Sequence, residues 1–157
     1  MGLSVADRGR RIATFRFIEA RLMEIAAAWT PTTPELEVKV LLGRHIWDFA
    51  QHADALGKRA FELRLPLQHS LRPAPPYAAL IEDLARLEAT SERLDALYDA
   101  LLPGLERRYQ GYAREADAIL DAPSLVIVER ILQDLARQRR DAAPTVTPRL
   151  RGQRRST

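Results

Sequence analysis

The chain has 157 residues, 46% of them hydrophobic and 29% charged, enough for one domain with a sizeable core. It has no cysteine, which excludes disulfides, thiolate metal ligands, iron–sulfur clusters and cysteine nucleophiles. The net charge of +3 and pI near 9.7 come from the C-terminus, where residues 137–157 hold seven arginines and one acid, Asp141. The remainder has 17 basic and 20 acidic residues, so a uniformly basic nucleic-acid surface is not supported. No run reaches the roughly 18 apolar residues that cross a bilayer. The N-terminus also lacks a signal-peptide pattern, so the sequence predicts a cytoplasmic protein without a membrane partner.

Helical spacing of Ile12, Phe15, Leu22, Ala26 and Trp29 predicts a first helix from about Val5 to Ala28. Thr33 is the expected cap of a second helix, with Pro34 at its first position and Glu35 and Glu37 in its first turn; it continues to about Arg64. Leu65–Pro75 reads as a loop containing a lone, solvated His69. A third segment opens near Pro76 and carries Tyr77, Leu80, Leu84, Leu87, Leu94, Tyr98 and Leu101. It breaks or kinks at Pro103–Gly104 and resumes through Leu105, Tyr109, Tyr112 and Ile119. Asp121-Ala122-Pro123 then opens a last helix running through Leu125, Val128, Leu132 and Leu135 to about Arg139. Strand signals are poor, and these segments predict an all-α, up-and-down four-helix bundle over 1–141 with a kinked or split third helix. Residues 142–157, mixed in Pro, Thr, Arg, Gly and Ser, read as a disordered basic tail.

The informative segment is Gly43–Leu56. His45, Asp48 and His52, spaced three and four apart, project from one face of the second helix. That face is also the apolar one, flanked by Val38, Leu41, Leu42, Phe49, Leu56 and Leu63. Glu19 lies inside the first helix's apolar stripe, where a carboxylate must be paired, protonated or coordinating. These four are the candidate catalytic residues. Phe15, Phe49, Tyr98, Tyr109 and Tyr112, with the more ambiguous Glu129, are candidates to line a ligand pocket. The competing view is a set of core aromatics and satisfied buried polar groups. Asp134 reads as marginal, and Trp47 as facing a partner or another helix. Nucleotide-binding glycine loops and the serine-hydrolase elbow do not occur.

The glutamate in helix one, the Asp48–Asp54 segment in helix two and the closing Asp121…Glu129…Asp134 helix together resemble the ferritin-like superfamily of di-iron carboxylate bundles. The resemblance covers about residues 8–139. It implies Glu-x-x-His metal half-sites, and here both are broken. Phe49 stands where a ligand glutamate would precede His52; Leu135 and Gln138 replace the other glutamate and histidine. Three readings stay open. The favoured one is a metal-free polar pocket, without cofactor, that binds or transforms a small organic molecule by acid/base chemistry. The second is an iron or manganese oxidoreductase or oxygenase with a rearranged site of Glu19, His45, Asp48 and His52. The third is a non-catalytic interaction module whose polar residues only fix packing register, which predicts an apolar exposed face. Homodimerisation through a helix face rests on base rates for small bundles.

Overall fold

The computed structural model describes residues 3–152, and the side chains of 147–152 are not described. Six α-helices follow one another: α1 (Val5–Trp29), α2 (Leu36–Glu62), α3 (Pro75–Ala85), α4 (Thr90–Leu94), α5 (Leu102–Glu115) and α6 (Ala122–Gly152). A 3-10 turn, Thr30–Thr32, links α1 to α2, and a π-helical stretch, Asp95–Leu101, joins α4 to α5. There is no strand among the described residues. Nor is any helix there long and apolar enough to cross a membrane.

Local chemistry explains the boundaries. Ser4 caps α1 by accepting the Asp7 backbone N–H at 3.1 Å, satisfying a donor the helix leaves orphaned. Thr33 does not cap α2: its buried hydroxyl turns back and donates to the Trp29 carbonyl at 2.8 Å. The helix therefore starts later, after Glu35. The third segment is interrupted earlier than the proline suggested, at 86–89 rather than at Pro103. Pro103 has no N–H and its ring crowds the carbonyl four residues back. The backbone before it widens to π pitch, the Leu102 N–H bonding the Leu97 carbonyl, and the helix passes through unbroken. Tyr98 sits on this widened turn and is 2% exposed.

α1 and α2 form the closest pair, joined by interleaved Ile12, Phe15, Ile18, Leu22, Leu42, Phe49 and Leu56. The segment between α2 and α3 docks on α1: the Leu71 N–H bonds the Ala13 carbonyl at 3.1 Å, and Arg16 bonds Gln68 and Ser70. Gln68 takes a left-handed backbone, φ 58°, which lays its amide over Gly57; a side chain at 57 would collide with it. His69 is half-buried rather than solvated.

α6 packs on α2 and α5. It continues past residue 141, where the sequence placed the start of a disordered tail. Ala142 is 1% exposed and Val146 packs against the core. Residues 153–157 lie outside the described residues.

Candidate functional site

The four candidate catalytic side chains are all buried, and each is engaged by another side chain. Glu19, His45 and His52 are almost wholly enclosed, and Asp48 is 9% exposed. The partners come mostly from α6. His52 Nδ1 lies 3.1 Å from Glu19 Oε2 and its Nε2 2.8 Å from Asp134 Oδ2. With carboxylate oxygens on both sides, both ring nitrogens donate, which is the imidazolium form. Burial alone would lower its pKa, but the charges and hydrogen bonds of Glu19 and Asp134 outweigh that and raise it to about 9. Burial likewise pushes the Asp134 carboxyl up, yet the bonds from His52 and Arg137 hold it below the usual carboxylate range. The second oxygen of Glu19 accepts the Tyr109 hydroxyl at 2.7 Å, and Phe15 stacks on Tyr109 with ring centroids 4.2 Å apart.

His45 is the opposite case. Its Nδ1 is 2.6 Å from the Tyr98 hydroxyl and its Nε2 3.3 Å from Asp141 Oδ2. Desolvation dominates there and lowers its pKa despite Asp141 and Asp48. The neutral ring then donates through Nε2–H to Asp141 and accepts the Tyr98 O–H at Nδ1. Two histidines seven residues apart on one helix thus hold opposite protonation states.

Asp48 accepts from Gln138 Nε2 at 3.1 Å and pairs with Arg137 at 2.9 Å. Arg137 also reaches Asp134 at 3.1 Å and Asp141 at 3.7 Å. One guanidinium therefore ties together the three carboxylates of the α2–α6 seam. Within that seam His45 meets Asp141, Asp48 meets Gln138 and His52 meets Asp134. In every rung the two residue numbers add to the same total, as an antiparallel pair in fixed register requires. Further along, Arg59 Nε donates to Ser124 at 2.8 Å.

The sequence placed Glu19 and His52 on inner faces, where both are buried and bonded to each other, but did not point to Asp134, Arg137 and Asp141 as their surroundings. The available signal was spacing: Asp134, Gln138 and Asp141 repeat in reverse the three-and-four spacing of His45, Asp48 and His52. Of the candidate ligand-lining residues, Phe15, Phe49, Tyr98, Tyr109 and Tyr112 are buried. Glu129 is exposed on α6 and stands outside the network.

The residues of the rearranged metal set do not converge. His45 turns to Tyr98 and Asp141, Asp48 to Gln138 and Arg137, and Glu19 and His52 to each other. Among the described residues, no group of three or more His, Asp or Glu side chains is arranged to hold a metal ion. Phe49 and Leu135, at the positions of the two lost ligand glutamates, are fully buried core residues.

The outer face of α2 has the reverse character. Leu36, Val40, Trp47 and Phe61 are 71%, 50%, 66% and 57% exposed. At about 100° per residue they fall, with Gly43, within an arc of roughly 60°, and the exposed Asp54–Lys58 ion pair in the same arc separates Phe61 from the other three. No family model matches this chain, and no curated protein or solved structure is significantly similar to it.

Proposed function

We propose that this chain is a non-catalytic helical interaction module. Its buried polar network holds α2 in one register against α6, and the outer face of α2 is offered to a protein partner. The observation that carries this reading is the apolar stripe of Leu36, Val40 and Trp47 on the solvent-facing side of the N-terminal half of a long helix. A large exposed tryptophan in line with other apolar side chains marks an interaction surface far more often than a single exposed leucine does. The inner face supports the same reading. Both nitrogens of both histidines, and both oxygens of Glu19 and Asp48, already have partners within the protein. Set beside the ferritin-like resemblance, the seam looks like a metal site whose ligands have been exchanged for ion pairs that fix register.

The test is a photo-crosslinking amino acid at position 47, compared with the same residue at exposed Glu129. Illumination in cells is expected to give a discrete adduct from position 47 and none from 129. No adduct at 47 sinks this reading.

One observation favours the acid/base pocket as a second reading. A groove of about 340 Å³ between α1 and α5 is lined by Phe15 and Tyr112 together with Arg10, Arg108 and Arg11, the last paired with Glu115, which also lines it. Its Phe15 wall lies one ring away from the Tyr109–Glu19–His52 chain. Such a groove suits a small aromatic anion. A thermal shift with phenyl phosphate, lost on Arg108→Ala, would support it; no shift would count against it.

A further inference from the structure

The partner of the α2 stripe is, we propose, a second copy of this chain, bound antiparallel through the N-terminal half of α2 about a twofold axis between Val40 and Gly43. The proposal rests on the interaction-module reading and names its occupant.

Gly43 is the smallest residue of the stripe. It lies inside a helix of 27 residues, where glycine costs about 1 kcal/mol relative to alanine. A Cβ at Gly43 would meet nothing within 4 Å; the fold crowds Gly9 and Gly57, and at Gly104 and Gly111 a Cβ would only touch an arginine tip at 3.8 Å. The chain's own packing therefore gives no reason for a glycine there. An external backbone approaching closely would give one.

The spacing supplies the rest. Leu36, Val40, Gly43 and Trp47 follow one another at four, three and four residues, the spacing of a helix–helix seam. Antiparallel self-pairing about a point between Val40 and Gly43 sets Val40 in the notch at the partner's Gly43. It also lays Trp47 over the partner's Leu36, and each contact occurs twice, as an isologous interface requires. Along one border of the stripe lie Glu37 and Arg44, both exposed and one heptad apart. In an antiparallel pair like borders face each other, so Glu37 of one copy meets Arg44 of the other, twice. A parallel pair would not bring these two borders together. The seam is short, on the order of 1,000 Å² in all, near the lower limit for a specific interface. An interface of that size makes a weak dimer that forms only as concentration rises.

Sedimentation velocity on the full chain, from about 5 µM to about 0.5 mM, reads this directly. The wild type is expected to shift from monomer to dimer. Trp47→Glu, whose helical content is checked by circular dichroism, should remain monomeric throughout. E37R and R44E should each weaken association about tenfold, and the double variant should recover to within about threefold of wild type. A wild type that stays monomeric overturns the dimer, as does association that survives Trp47→Glu or a double variant that fails to recover. The crosslink at position 47 separates the two levels of inference. An adduct carrying a different protein overturns the dimer and leaves the interaction module standing, whereas no adduct overturns both. An adduct of twice the chain mass supports both.

Discussion

The two faces of α2 invert the usual rule. Its inward face carries His45, Asp48 and His52 at 9% exposure or less, while its outward face shows Leu36, Val40 and Trp47 at 50% or more. Buried charge is normally costly and exposed apolar surface is normally avoided. The inner departure is resolved within the chain, because each polar group has its partner on α1, α6 or the π-helical turn. The outer one is not resolved by this chain alone. A polar group satisfied inside a fold tells of register and stability. An apolar group left outside tells of what the molecule meets.

The largest effect comes from breaking the inner face at its centre. His52→Ala leaves Glu19 and Asp134 without their shared cation, and losing one partner of a buried ion pair costs about 3–5 kcal/mol. Urea unfolding should show this as a lower midpoint. Replacing Glu19 and His52 together by leucine should recover part of the loss, because the buried Glu19 charge goes with its partner and Asp134 keeps Arg137, while the Tyr109 hydroxyl loses its acceptor. If the single and double variants are equally destabilised, the pair is not what holds the seam.

Changing pH perturbs the same pair without mutation. The folded-state pKa of His52 is raised to about 9, against about 6.5 in the unfolded chain. Its stabilisation is therefore fully present below pH 6.5 and is lost as pH rises through about 9, a decline on the order of 3 kcal/mol. His45 acts in the other direction. Burial lowers its pKa, so folding is penalised as pH falls below 6.5, where the unfolded histidine takes up its proton. Unfolding free energy measured at pH 6.5 and 9.5 should fall steeply in the wild type and much less in the Glu19/His52 double-leucine variant. Equal declines would remove His52 as the cause.

Arg137 was counted by the sequence among tail arginines, and its structural role gives a smaller, discriminating effect. It is partly exposed yet pairs with Asp48, Asp134 and Asp141. Discounted for solvent screening, Arg137→Ala should cost about 1 kcal/mol. Arg139→Ala, which loses only a more exposed pair with Glu106, should cost less than about 0.5 kcal/mol. Equal costs in urea unfolding would place Arg137 back among ordinary surface charges.

That misplacement shows where the sequence became unreadable. Helical periodicity made α1 legible almost to the residue, while the start of α2 was misplaced because Thr33 does not cap it; three-and-four spacing put His45, Asp48 and His52 on one face. The partners were hidden because interhelical register is a tertiary fact. Asp134 and Asp141 look like surface acids until α6 is laid antiparallel on α2. Composition misled after residue 141, where Pro144 and the polar residues around it read as a tail. The burial of Ala142 and the packing of Val146 instead carry the helix onward, a tertiary gain that overrides poor local propensity. The break at 86–89 was missed for the converse reason, since Leu84, Leu87 and Leu94 keep helical spacing across it.

The smallest change tests the outer face most sharply. At Gly43 an added Cβ meets open space, so in dilute, monomeric protein Gly43→Ala should raise unfolding free energy by up to about 1 kcal/mol through helix propensity alone. In the proposed dimer the same methyl group fills the notch that receives Val40 of the second copy, so association should weaken several-fold. A glycine needed by the fold would lose stability on substitution. An idle surface glycine would gain stability and leave association unchanged. Only a glycine held open for another helix gains stability as a monomer and loses affinity as a dimer. Urea unfolding at low concentration, with sedimentation of the same variant at high concentration, measures both signs on one substitution.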